Sequence, residues 1–114
     1  MQYLMLIVDG PEFEQREEDG DDAIIRGWVA EMDGRGVRKV GNRLRPSEDA
    51  RTVRVRDGEL IVTDGPFTEG KDYIGGFDLI ECADLDEAIE IASKHPAAAN
   101  GGIDIRPVWP LNLQ

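Results

Sequence analysis

Thr52-Val53-Arg54-Val55-Arg56-Asp57-Gly58-Glu59-Leu60-Ile61-Val62-Thr63 is the stretch on which the fold turns. Two valines alternate with two arginines, Asp57-Gly58 supplies a two-residue turn, and Leu60–Thr63 runs back. This pattern predicts a β-hairpin, because the tight turn needs positive φ at both central residues and Asp-Gly tolerates it. A hairpin closes on itself, so the segments on either side must build the main sheet.

Upstream, residues 2–8 (QYLMLIV) form a continuous apolar run that ends at Asp9-Gly10-Pro11. Such a run suits a central strand buried on both faces. Asp9–Gly20 reads as a polar loop. Asp21 and Asp22 offer N-caps for a helix beginning near Ala23. Its apolar positions Ile24, Ile25, Trp28, Val29 and Met32 fall along one stripe, and Gly34 or Gly36 ends it. Gly27 inside this helix costs about 1 kcal/mol relative to alanine, which a close helix–sheet approach would explain. Val37–Leu44 reads as a strand, and Pro46–Asp49 as a loop.

Downstream, Gly75-Gly76 reads as a bulge or tight turn into the strand Phe77–Ile80. Asp84-Leu85-Asp86-Glu87 has the form of a capping box. The helix after it presents Leu85, Ala88, Ile89 and Ala92, and Pro96 stops it. Ala97–Gly102 reads as a loop, and Ile103–Trp109 as the last strand. With the hairpin set aside, two βαβ-like halves remain whose helices cover one sheet face. The predicted fold is α+β, a ferredoxin-like sandwich with an inserted β-hairpin, in one domain over residues 1–114.

Composition bounds the function. The chain has 114 residues and a formal charge of −11, which repels phosphate backbones and anionic lipid, so nucleic acid is not an expected partner. Arg35, Arg38, Lys39, Arg43 and Arg45 form either a local basic patch for a small anion or the solvent edge of a strand. A single cysteine, Cys82, excludes an intramolecular disulfide and reads as a buried, inert thiol. The apolar run 3–8 is too short for a signal peptide or a membrane span, which predicts a cytoplasmic protein.

Residues 60–81, LIVTDGPFTEGKDYIGGFDLIE, carry a resemblance. Together with the opening Met-Gln-Tyr-Leu-Met-Leu-Ile, the hairpin, the helix ending in His95-Pro96 and Ile105-Arg106-Pro107-Val108, they resemble the YCII-related family, in its branch with an Asp-Gly-Pro-Phe turn. The resemblance implies a bacterial protein whose ferredoxin-like sheets pair two subunits, as in dimeric α/β-barrel proteins. It also implies a functional link to a sigma factor. Some relatives are proposed enzymes with a histidine on the first helix and an aspartate nearby. Here the first helix, Ala23–Asp33, has no histidine, so that dyad does not carry over.

Asp64-Gly65-Pro66-Phe67 has two readings. Asp64 either acts as a base or ligand contact with Phe67 as an apolar wall, or is a turn former whose carboxylate accepts backbone N–H groups. Lys71 either meets an anionic group of a ligand or is a solvated loop lysine. His95, the one histidine, either caps its helix, where the dipole favours its cation, or serves in acid–base chemistry. Neither Ser47 nor Ser93 sits in a nucleophile context, no metal spacing is present, and no cofactor motif is found. Trp28 reads as core, and Trp109 as a residue that packs across a subunit interface.

The sequence therefore predicts a homodimer, because a sheet with helices on one side only must cover its other face. Three functions are consistent with it. One is a small-ligand-binding or regulatory module using Asp64, Phe67 and Lys71. Another is an enzyme on a small organic substrate, with Asp64 and His95 or Lys71 in acid–base roles. The third is an interaction domain without a ligand.

Overall fold

The computed structural model describes residues 1–9, 22–66 and 73–112. Six strands and three helices follow the order β1 (Gln2–Asp9), α1 (Asp22–Gly34), β2 (Arg38–Arg43), β3 (Arg51–Arg56), β4 (Glu59–Asp64), β5 (Tyr73–Glu81), α2 (Leu85–Ser93), α3 (Ala97–Asn100) and β6 (Gly102–Pro107). A 3₁₀ turn at Ser47–Asp49 precedes β3. The main sheet has the order β2-β5-β1-β6, and β3 and β4 form a separate two-stranded ribbon. All neighbouring strands are antiparallel. This is a mixed α+β fold, consistent with a ferredoxin-like sandwich that carries an inserted hairpin.

The apolar run at the N-terminus becomes β1, a central strand between β5 and β6. Its side chains alternate sharply in environment. Tyr3, Met5 and Ile7 are buried together with Ile80, Trp28, Met32, Ala88 and Ile91 in the core under the helices. Leu4, Leu6 and Val8 point the other way and are half-buried. Burial on both faces is thus not reached within one chain, because the helices lie on one side of the sheet. Each large apolar side chain buried in this core contributes about 1.5–3 kcal/mol.

The local signals map onto local structure. Asp57 and Gly58 both have positive φ, 52° and 79°, as the hairpin turn requires. Gly36, with φ of 72°, closes α1. The register of β1 against β5 shifts at Ile7/Val8, where Ile7 opposes Gly76 and Val8 opposes Ile74. Gly75 is therefore the extra residue of a β-bulge. A Cβ on Gly27 would meet nothing within 4 Å, so the close helix–sheet approach expected there is not the reason for that glycine. In α1 the inward positions are Trp28 and Met32, whereas Ile24 is 59% exposed. In α2, Ala88, Ile91 and Ala92 are buried, while Leu85 and Ile89 face outward. Residues 97–100, read as loop, make the short helix α3 instead. The last strand ends at Pro107, so Trp109 lies beyond it.

Candidate functional site

The face of the main sheet opposite the helices is apolar. Cross-strand pairs Leu4↔Leu79, Leu6↔Phe77 and Val8↔Ile74 line its centre. Val40, opposite Leu79, extends the patch to the β2 edge, and Val40, Leu44 and Ile74 are each close to half exposed. Polar groups frame it: Asn42 opposite Phe77, and Asp104 and Arg106 on β6 opposite Leu6 and Leu4. Arg106 donates to the Asp104 carboxylate at 3.3 Å. An apolar wall with a few polar groups around it is the usual composition of a small-molecule pocket or a subunit interface.

Asp64 ends β4 at the base of the hairpin, opposite Arg51. Its carboxylate is 89% exposed and pairs with the Arg51 Nε at 3.2 Å. The turn behind it is held by the Gly65 N–H donating to the Ala50 carbonyl at 2.9 Å and by the Thr52 hydroxyl donating to the Gly65 carbonyl at 2.8 Å. Gly65 has φ of 91°, a left-handed position that favours glycine. The structure thus builds a fixed turn with a solvent-facing carboxylate. Phe67 and Lys71 lie outside the described residues.

His95 is elsewhere, packed between α2 and α3. It is 7% exposed, and its ring meets Trp28 edge-to-face at a centroid distance of 4.8 Å. Its Nδ1 accepts the Ala97 N–H at 3.0 Å, and Trp28 Nε1 donates to the Ile91 carbonyl at 3.0 Å. Burial lowers the histidine pKa from 6.5 to about 4, because the interior disfavours the charged ring. The cation expected from the helix dipole is therefore not formed at neutral pH. The ring does not cap α2, whose C-cap is Lys94; it accepts instead from the first backbone N–H of α3, a helix not expected from the sequence. It shares none of the described hydrogen bonds of Asp64.

One polar cluster was not singled out from sequence. Asp78 sits in mid-β5, 7% exposed, on the helix side of the sheet. Arg38 Nε donates to its Oδ1 at 2.9 Å, Arg38 Nη2 donates to the Gly41 carbonyl at 3.0 Å, and Arg38 Nη1 pairs with Asp33 at 3.4 Å. Burial raises the Asp78 pKa, with Arg38 opposing part of that rise. A Cβ on Gly41 would overlap the Asp78 carboxylate, so glycine is needed for β2 to pass over the acid. The signal available was an aspartate inside Phe77-Asp78-Leu79-Ile80, since a charged residue in an apolar strand needs a partner. The other cations of that region are also engaged: Arg35 with Glu90 at 2.8 Å, and Arg45 with Asp49 at 2.8 Å. Cys82 is buried, and burial raises its thiol pKa, as expected for an unreactive cysteine.

Fold and site together define a small α+β protein with an apolar sheet face that no helix covers among the described residues. The chain belongs to the YCII-related domain family, which matches residues 1–112. It is 37% identical over 105 residues to an uncharacterized protein of Rhizobium meliloti (strain 1021), covering 77% of this chain and 85% of that one. Among solved structures it is similar to 5-chloro-2-hydroxyhydroquinone dehydrochlorinase from Burkholderia phenoliruptrix AC1100, in complex with 2,5-dihydroxybenzoquinone. The TM-score is 0.57, with 19% identity over 96% of this chain and 94% of that chain. That likeness concerns the fold. Among the described residues, no helix is long and apolar enough to cross a membrane.

Proposed function

We propose that this protein is a homodimeric small-ligand-binding module of the YCII-related family, in its Asp-Gly-Pro-Phe branch, working in the cytoplasm. The observation that carries the reading is the apolar sheet face of Leu4, Leu6, Phe77, Leu79 and Val40, which has no helix on it among the described residues. Two such faces stacked together remove that surface from water and leave apolar walls at the interface for a small organic ligand. Asn42, Asp104 and Arg106 are the polar groups that orient it, and Asp64, Phe67 and Lys71 are the ligand contacts proposed from the turn. The exposed Asp64 carboxylate fits this role when a second subunit closes over it.

A second reading is an enzyme on a small organic substrate. In that reading Asp64, whose carboxylate is exposed to solvent, takes the acid–base role. The dehydrochlorinase neighbour is an example of chemistry on a hydroquinone in this fold.

A thermal-shift panel of metabolites, including hydroquinones and quinones, tests both readings on wild type and Asp64→Ala. A compound at 100 times its Kd stabilises the fold by about 2.7 kcal/mol. Stabilisation of wild type but not of the variant supports the binding role of Asp64. Conversion of a stabilising compound by wild type, abolished in Asp64→Asn with binding retained, favours the enzyme. No stabilisation by any compound, with the variant merely melting lower, counts against both and leaves protein partners as the function.

A further inference from the structure

The β3–β4 ribbon has an apolar side that nothing among the described residues covers. Val53, Val55, Leu60 and Val62 share one face through the pairs Val53↔Val62 and Val55↔Leu60. They are 64, 60, 68 and 56% exposed. The other face carries Thr52, Arg54, Arg56, Glu59 and Thr63 around Ile61, as suits solvent. An apolar stripe opposite a polar one belongs to an element covered on one side. A lone two-stranded ribbon is marginal in water unless it packs on something. Six residues per strand give it a reach of about 20 Å.

We infer that the ribbon is an exchange arm: its apolar stripe packs on a second copy of this chain, across the sheet-face dimer proposed above, on which this inference rests. Area is the first reason. The chain exposes 8265 Å² at 12.7 kDa, whereas a compact monomer of that mass exposes about 6,200 Å². The radius of gyration is 16.0 Å, against about 13 Å for a compact chain of this length. The arm and the open sheet face are apolar surfaces among the described residues that add to this area, and obligate homodimers bury about 1,000–2,500 Å² on each chain.

Charge is the second reason. A chain of net charge −11 repels its own copy over most of its surface. Residues 51–64 are an exception, since Arg51, Arg54 and Arg56 offset Asp57, Glu59 and Asp64. A second copy approaches there without net repulsion, whereas a polyanion finds no net positive charge to bind.

Sedimentation velocity of wild type and of the combined variant Val53→Thr, Val55→Thr, Leu60→Thr, Val62→Thr tests this, because threonine keeps the strand preference while removing apolar surface. The expected result is a wild-type dimer, and a variant with an unchanged far-ultraviolet spectrum whose dimer Kd rises about 100-fold or more. A dimeric wild type with an equally tight variant overturns the arm and leaves the sheet-face dimer standing. A monomeric wild type overturns both. If the variant does not fold, isotope-filtered NMR of mixed labelled and unlabelled wild type decides. Intermolecular contacts from the methyls of these four residues support the arm, and their absence in a dimeric sample overturns it.

Discussion

A histidine two residues past the end of α2 sits where the helix dipole favours its cation, yet His95 is neutral in the folded chain. Desolvation beside Trp28 outweighs the dipole, which at an exposed helix end is worth about 0.3–1 kcal/mol. Unfolded, the ring takes up its proton near pH 6.5; folded, it does so only near about 4. Between these values the unfolded chain binds the extra proton. The stability linked to His95 is therefore complete above 6.5 and falls as pH drops toward 4, by up to about 3 kcal/mol. Because the chain has one histidine, its ring signals in an NMR titration should report a pKa near 4. Melting curves should show a steeper acid loss for wild type than for His95→Gln, which keeps an acceptor for Ala97 but does not titrate. A ring pKa near 6.5 would contradict this burial. Sequence showed the histidine near the end of α2, but neither its partner, the Ala97 N–H, nor its charge, which depends on contacts from α1.

At the scale of elements, the start of α2 shows how far local chemistry reaches. Asp84 accepts the Glu87 N–H at 2.9 Å, and the Glu87 carboxylate accepts the Ala83 N–H at 3.0 Å. The capping box read from Asp84–Glu87 is thus present, with the return bond one residue earlier than its usual form. Asp84→Ala should cost about 1 kcal/mol, measured as a lower denaturant midpoint with an unchanged slope. No change in the midpoint would mean that packing alone holds this helix. The hairpin was equally legible, because its turn needs only Asp57 and Gly58. Which side of α2 faces the sheet was not legible: Ile89 and Ile91 are equally apolar, and packing under the sheet selects Ile91.

The molecule is flat, with extents of 47 × 42 × 18 Å, and among the described residues the helices lie on one side of its main sheet. Association of two copies must overcome the repulsion of two charges of −11. The proposed dimer should therefore tighten with added salt, since the screening length falls from about 10 Å at 0.1 M to about 3 Å at 1 M ionic strength. Sedimentation equilibrium across that range should show a falling Kd. A Kd that rises instead would point to an interface held by ion pairs rather than by Leu4, Leu6 and Phe77.

By itself the sequence determined what short-range forces control: the apolar periods of the longer elements, the Asp57-Gly58 turn, the glycine stop of α1 and the α+β order. These depend on neighbours a few residues apart. Only the tertiary structure decided which face of β1 the helices cover, why Gly41 must lack a side chain over Asp78, that His95 is neutral, and that the hairpin stands off the body with its valines in water. Each of these depends on residues distant in the chain, brought together by burial, and burial sets both the charge of a side chain and the surface left for another molecule.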